Sequence, residues 1–153
     1  MLETPHVAVG AAIALKIPNP LISIPLAFAS HFILDRVPHW NPHFYTETQK
    51  LGKPTGKSTT IAIVDSTLAL AMGTAVALTA LPDWGRVVTI LACCFVSVIS
   101  DQIKIPFFFC KKRAGFYKKW VDFERSMQIE VPFIPGVLTQ LIVISTAFLW
   151  IFS

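Results

Sequence analysis

The chain has 153 residues, of which 54% are hydrophobic and only 14% are charged, and its formal net charge is +4. A soluble domain has about 25% charged and 45–50% apolar residues, and a chain of this length has too little interior to hide the excess apolar surface. The composition therefore favours a single membrane-embedded domain over residues 1–153. The alternative is a soluble helical protein that encloses a lipid-like ligand.

Five apolar segments predict the helices. They are residues 6–17, 23–40, 58–81, 86–109 and 131–152. The last three each have the roughly 20 residues needed to cross about 30 Å of hydrocarbon. The first segment spans only about 18 Å as a helix, so we expect it to cross obliquely or to form a re-entrant hairpin with the second, with Pro18-Asn19-Pro20 as the turn. The sequence thus predicts an all-α polytopic integral membrane bundle with four or five membrane helices.

The distribution of Lys and Arg predicts the orientation. Both residue types are concentrated in residues 36–57 and 110–130, whereas the short connection 82–85 contains neither. Connectivity places the two basic loops on one side of the membrane, and an excess of Lys and Arg in short loops marks the cytoplasmic side. We therefore expect a multi-pass protein of the cell (inner) membrane with a cytoplasmic N-terminus. Because the positive charge belongs to these loops, the expected partners are membrane lipids rather than nucleic acid.

Polar side chains inside the apolar segments predict a site near the cytoplasmic face. Of these, His31, Asp35 and His39 recur at a spacing of four, which places them on one face of a helix. Three further residues lie at the same depth, on other segments: His6, Asp65 and Asp101. Ionisable groups are costly inside a membrane and usually mark a functional site. We expect these side chains, from four helices, to converge.

The residue types at this site indicate a divalent metal ion. Imidazole and carboxylate together suit zinc first, with manganese or iron as alternatives, and helical bundles hold single or paired metals in this way. The predicted ligands are His6, His31, Asp35, His39 and Asp101. For the catalytic roles we expect Asp65 to be the general base, and Lys104 or Arg36 to hold a phosphate. The alternative is a structural network in which Asp65 and Asp101 only pair with Lys104 or Lys57.

Two motifs carry a family resemblance. The opening Thr4-Pro5-His6-Val7-Ala8-Val9-Gly10 and the later His31-x-x-x-Asp35-x-x-Pro38-His39 resemble the bacterial and archaeal membrane-bound metal-dependent hydrolases, which are small polytopic proteins. The His-x-x-x-Asp element is also similar to part of the metal site of zinc-dependent phospholipase C. The resemblance covers residues 4–43, and it implies hydrolase activity with His6, His31, Asp35 and His39 as metal ligands. The chain departs from the better-known branch at residues 56–60, which lack its H-R-G-x-T-H-S run.

Three functions fit these features. The first is a metal-dependent hydrolase that acts on a phosphoester or other ester of a lipid or lipid-linked substrate at the cytoplasmic membrane face. The second is an ion or proton translocator that uses Asp65 and Asp101 as a relay. A translocator needs polar groups that continue to the outer leaflet, and residues 70–81 and 86–94 offer few, so the sequence favours the hydrolase. The third is a catalytically inactive membrane scaffold.

Overall fold

The computed structural model describes residues 1–153, and its regular structure is entirely α-helical. The helices are α1 (Glu3–Lys16), α2 (Pro20–Leu34), α3 (Phe44–Leu51), α4 (Gly56–Leu78), α5 (Trp84–Val96), α6 (Ile99–Ile103), α7 (Ile105–Phe109), α8 (Gly115–Met127) and α9 (Phe133–Phe152). The only β-type pairing is an isolated bridge between His39 and Glu130. The prediction of an all-α helical bundle is therefore confirmed.

The short helix α1 lies at the centre of the bundle, in contact with α2, α4, α5 and α9. Its buried surface is built largely from small residues such as Ala8, Ala11 and Ala12, which let neighbouring helices approach closely. At Gly10, an added Cβ would lie 2.8 Å from the carbonyl oxygen of Cys93, so α5 can pack here only against a glycine. The length of α1 predicted an oblique or re-entrant segment and did not indicate this central position.

Two helices, α4 and α9, are long and apolar enough to cross a membrane, and the bent combination of α5 with α6 and α7 makes a third if it counts as one span. The 14 residues of α1 and the 15 of α2 fall short of the roughly 20 required. The number of such helices is thus two or three, where the sequence predicted four or five. Large apolar side chains such as Leu70 and Ile142 are exposed on the outer faces of α4 and α9, as expected for contact with lipid.

The predicted continuous helix over residues 86–109 is wrong, because this segment breaks twice and bends by 51°. At the first break, Ser97 and Val98 separate α5 from α6. The second break, at Lys104, comes just before Pro106, whose ring removes a backbone N–H and clashes with the preceding turn. The bend gives Asp101, on α6, a position that a straight helix would not provide.

Two helices lie within segments that the sequence analysis treated as basic loops. The first, α3, ends at Gly52 with φ of 75°, a left-handed conformation that favours glycine. The second, α8, is amphipathic: Val121 and Glu124 are buried, whereas Lys118 and Lys119 are exposed. Both helices contribute to the wall of a cavity described below, and α8 brings a buried carboxylate to the polar site.

Candidate metal centre and adjoining cavity

Three residues from three helices bring potential metal-binding atoms together: His6 on α1, His31 on α2 and Asp101 on α6. One donor atom from each lies within 4.8 Å of the other two. Both imidazoles are fully buried, and their rings stack with centroids 4.3 Å apart. The close packing of α1 against α2 and α5 makes this approach possible.

Asp35, which follows the last residue of α2, joins this group. Its Oδ1 lies 3.3 Å from Nε2 of His6, and its Oδ2 lies 3.6 Å from Nε2 of His31. The α-amino group of Met1 lies 2.5 Å from the same Oδ1, and the side chain of Gln128 donates a hydrogen bond to Oδ2 at 3.1 Å. Asp35 therefore contacts both imidazoles and already holds one positive charge. We call His6, His31, Asp35 and Asp101 the donor cluster.

The orientation of His31 follows from the break between α5 and α6. Its Nδ1 lies 2.9 Å from the carbonyl oxygen of Ser97, at the first position after α5. A carbonyl accepts hydrogen bonds only, so Nδ1 carries a proton, and in the neutral ring Nε2 then presents a lone pair. A hydrogen bond of this kind on the outer nitrogen is the usual way in which proteins fix the ring of a metal-binding histidine.

Several atoms of the donor cluster are buried and make no well-aligned hydrogen bond, although Nε2 of His6 lies 3.3 Å from Asp35. They are both ring nitrogens of His6, Nε2 of His31 and Oδ2 of Asp101. A buried polar atom without a partner costs about 1–3 kcal/mol, and native proteins contain few of them. A divalent cation that prefers nitrogen and oxygen ligands would satisfy these atoms, so the residues present fit the metal that the sequence predicts.

Lys104 pairs with two acidic side chains beside the donor cluster. Its Nζ lies 2.6 Å from Oδ1 of Asp101 and also contacts a carboxylate oxygen of Glu124. The pairing of Asp101 with Lys104, which the sequence offered as a purely structural alternative, is therefore present. It leaves Oδ2 of Asp101 without a partner, so the ion pair alone does not satisfy this carboxylate.

Glu124 is a site residue that the sequence analysis missed. Its carboxylate accepts a hydrogen bond from the Ser100 hydroxyl and lies 3.7 Å from Nε2 of His31. Burial acts to raise its pKa, but the interactions with His31 and Lys104 outweigh burial and lower that pKa below its ordinary value. The available signal was the spacing of Val121 and Glu124, which lie three residues apart on one face of an amphipathic segment.

Asp65 lines the cavity described below, and its carboxylate accepts hydrogen bonds from the start of α1. One of its oxygens accepts from the backbone N–H of Glu3 at 2.6 Å. The other accepts from the hydroxyl of Thr4 at 2.6 Å and from the Thr4 N–H at 3.3 Å. These bonds satisfy the free N–H groups at the start of α1. Both oxygens of Asp65 are thus engaged by the start of α1, and its role as general base stays a prediction.

Two further predicted residues lie outside the donor cluster. Both ring nitrogens of His39 are occupied within its own loop, one by the Val37 carbonyl at 2.7 Å and the other by the Asn41 side chain at 3.1 Å. Burial and the nearby N-terminal amino group lower the pKa of His39 to about 4. Arg36 is exposed and does not line the cavity beside the donors. The structure therefore does not bring His39 or Arg36 to the predicted site.

A cavity of about 470 Å³ adjoins the donor cluster, and Asp101 and Glu124 belong to its wall. This volume is in the range of small-molecule sites. Its apolar wall comes from α3, α4 and α7 and includes Phe44, Ile63, Leu70, Ile105 and Phe108. Its polar end carries Glu3, Asp65, Asp101, Gln102, Lys104 and Glu124. The cavity thus joins an apolar region to a charged region next to the unpaired donor atoms.

The sequence matches no protein-family model, and no curated protein or solved structure matches it significantly. The resemblance to membrane-bound metal-dependent hydrolases accordingly rests on the two motifs in residues 4–43 alone. Of the four ligands that it implies, His6, His31 and Asp35 lie in contact with one another. The fourth, His39, lies apart.

Proposed function

We propose that this protein is a metal-dependent hydrolase that acts on a phosphoester or other ester of a lipid or lipid-linked substrate, at the cytoplasmic face of the cell membrane. One observation carries the proposal. Buried donor atoms without partners adjoin an amphipathic cavity, and Asp101 belongs to both. Unsatisfied donors and a substrate-sized space side by side are the arrangement that metal-assisted hydrolysis requires.

The donor cluster would hold the metal. His6, His31 and Asp101 supply the ligand atoms, and Asp35 lies close enough to both imidazoles to bind the ion or to orient the rings. We propose zinc first, with manganese or iron as alternatives, because imidazole and carboxylate suit all three. When bound, such an ion would supply a Lewis acid that polarises the ester and activates water.

Glu124 is the better candidate for the general base. Both Glu124 and Asp65 line the cavity, but Glu124 lies 3.7 Å from Nε2 of His31, a proposed metal ligand, whereas the hydrogen bonds of Asp65 go to the start of α1. Glu124 is ionised near neutral pH, as a base must be, although its lowered pKa makes it a weaker base than an ordinary glutamate. Lys104, also on the cavity wall, holds Asp101 and Glu124 in place and presents positive charge to an anionic ester group.

The walls of the cavity support a lipid substrate. Ile63 and Leu70 line the cavity and are also 61% and 71% exposed. They lie on α4, one of the two helices apolar enough to span a membrane. An opening bordered by exposed apolar side chains of such a helix would admit an acyl chain directly from the bilayer. The adjacent charged end would then receive the polar headgroup.

The distribution of buried ionisable groups favours hydrolysis over translocation. The buried ionisable groups of the site lie together: His6, His31, Asp35 and Glu124. In residues 66–99, the only buried ionisable side chains are two cysteines. Arg86, at the start of α5, donates a hydrogen bond to the Leu15 carbonyl at 2.6 Å at the other end of α1. The relay that an ion or proton translocator needs therefore does not continue from the donor cluster.

A metal-dependent hydrolysis assay tests the proposal. Detergent-purified protein, stripped with chelator and reloaded with zinc, manganese or iron, would be incubated with phospholipids, phosphatidate and a generic phosphodiester. We expect turnover that requires metal and is lost in Asp101→Ala and His31→Ala. Asp122→Asn, which alters an exposed carboxylate of α8 paired only with Lys118, is the matched control and should retain activity.

Two results would contradict the hydrolase. Ion or proton flux in liposomes that depends on Asp101, without turnover of any ester, would favour the translocator. Absence of both turnover and flux in protein that binds metal would favour an inactive scaffold.

A further inference from the structure

Arg125 lies on the wall of the cavity, one residue beyond Glu124 on α8. Its guanidinium carbon is 3.8 Å from the centroid of the Tyr45 ring, and Tyr45, on α3, lines the same cavity. An aromatic ring at this distance stabilises a guanidinium without using its N–H donors. The five donors of Arg125 are therefore free to bind another group.

Arg125 differs from the other cationic side chains near the site. Lys104 is paired with two carboxylates, and Lys118 is paired with Asp122. Arg113 donates a hydrogen bond to the Gly52 carbonyl. Arg125 takes part in none of the ion pairs of the chain. Of the two cations that line the cavity, Lys104 and Arg125, only Arg125 lacks a carboxylate partner.

We infer that Arg125, held over the Tyr45 ring, recognises the anionic headgroup of a lipid whose acyl chain occupies the apolar part of the cavity. This inference rests on the proposed function and names its substrate class, an acidic lipid. A planar guanidinium binds two oxygens of a phosphate at once, which gives both affinity and orientation. Glu124 and Arg125 are adjacent in sequence, so headgroup recognition and the proposed base lie on the same turn of α8.

The cavity favours a lipid over a soluble phosphate compound. Its apolar wall includes Phe44, Ile63, Leu70, Ile105 and Phe108, and an acyl chain placed there would cover these side chains with a group of matching polarity. A free phosphate compound would leave this wall uncovered. The acidic lipid therefore matches both ends of the cavity, whereas a soluble anion matches only one.

Binding measured without metal tests the inference separately from hydrolysis. Chelator-treated protein in a neutral detergent would be titrated calorimetrically with dioctanoyl phosphatidate, dioctanoylglycerol and glycerol 3-phosphate. We expect phosphatidate to bind most tightly, and Arg125→Gln to weaken it about tenfold or more, since a hydrogen-bonded charge contributes on this scale. Arg125→Lys should recover only part of the loss, because an ammonium does not bind two oxygens in the same plane.

Lys119→Gln is the matched control, since it removes an equal charge from α8 at an exposed position that does not line the cavity. It should leave phosphatidate affinity unchanged. Equal losses in the two glutamine variants would overturn the inference, as would equal affinity for dioctanoylglycerol or for glycerol 3-phosphate. An unchanged thermal midpoint of Arg125→Gln shows that the variant is folded. Selective phosphatidate binding without turnover in the metal-loaded protein would refute the hydrolase and leave the recognition intact.

Discussion

His31 and Ser97 are joined by a hydrogen bond of 2.9 Å between an imidazole nitrogen and a backbone carbonyl. The carbonyl is available to a side chain because the helix breaks immediately after α5, and the bond turns Nε2 of His31 toward Asp35 and Glu124. A break in one helix thus sets the orientation of a donor on another. This relationship connects the irregular backbone of α5 and α6 directly to the chemistry of the donor cluster.

The first prediction concerns metal content. His31→Ala and Asp101→Ala each remove a donor atom from the cluster, so we expect the purified variants to lose bound divalent metal, with affinity at least about tenfold lower. Elemental analysis of detergent-purified protein, by mass spectrometry, measures this. Asp122→Asn, on the exposed face of α8, should keep the wild-type content. Wild-type metal content in both cluster variants would reduce the cluster to a structural polar network.

The second prediction separates the structural role of Asp65 from catalysis. Asp65→Ala removes the acceptor of the Glu3 and Thr4 groups, which we expect to cost about 2 kcal/mol of unfolding free energy. Metal content and turnover of the folded, metal-loaded variant should change little. Asp83→Ala, which removes an exposed cap of α5, is the comparison and should cost less. A loss of turnover of about 10²–10⁴-fold in stable, metal-loaded Asp65→Ala would instead restore Asp65 as the general base.

Part of the donor cluster could be predicted from the spacing of residues in the sequence. The spacing of four between His31 and Asp35 predicted that they share a helix face, and their side chains are indeed 3.6 Å apart. His39, the next residue in that pattern, fell outside because α2 ends at Leu34. After Leu34 the backbone forms hydrogen bonds with the connection between α8 and α9. One of them runs from the His39 N–H to the Ile129 carbonyl at 3.0 Å. Periodicity applies only while the helix continues.

The other features of the site and fold depend on tertiary packing, which a hydropathy pattern does not predict. Glu124 lies in a strongly charged segment, and only the fold shows that its side chain is buried against Ser100 and Lys104. The central position of α1 arises from its small side chains, which permit close helix contacts on several sides. Asp65 has the residue type and depth of a ligand, and its use as a cap became apparent only from the position of the start of α1.

The third prediction is a pH dependence at the start of α4. The Glu47 carboxylate accepts hydrogen bonds from the Thr55 N–H and from the hydroxyls of Thr55 and Ser58. Burial acts to raise the pKa of Glu47, but these bonds outweigh it and lower the pKa below its ordinary value of 4.5. The unfolded chain therefore binds the proton more readily, so the stabilisation is present above pH 4.5 and is lost as the pH falls through the folded-state pKa.

Glu47→Gln tests this sign. We expect it to lower the thermal midpoint at pH 7, and the difference from wild type to shrink at more acidic pH, where Glu47 itself becomes protonated. Thermal unfolding in detergent across this pH range provides the measurement. Gln49→Glu is the comparison, because it adds a carboxylate at an exposed position on the same helix, away from the hydrogen bonds that Glu47 accepts. A difference between Glu47→Gln and wild type that stays constant with pH would show that the ionised form is not what stabilises this connection.

The fourth prediction concerns the close contact between α9 and the loop after α2. A Cβ added to Gly136 would lie 2.3 Å from the backbone nitrogen of Trp40 and 2.8 Å from the carbonyl carbon of His39. Backbone atoms cannot rotate away as a flexible side chain can, so Gly136→Ala must displace the loop. Overpacking of this kind costs about 1–3 kcal/mol, and because the same loop begins at Asp35, we expect metal affinity to fall together with the thermal midpoint.

Gly56→Ala is the matched control for this contact. Gly56 is the first residue of α4, and an added Cβ there would meet no atom within 4 Å, so alanine should leave the thermal midpoint unchanged or raise it slightly. Thermal unfolding and metal titration of the two variants in the same detergent make the comparison direct. Equal midpoints would mean that α9 does not pack against Trp40. A lower midpoint for Gly136→Ala with unchanged metal affinity would show instead that displacement of the loop does not reach Asp35.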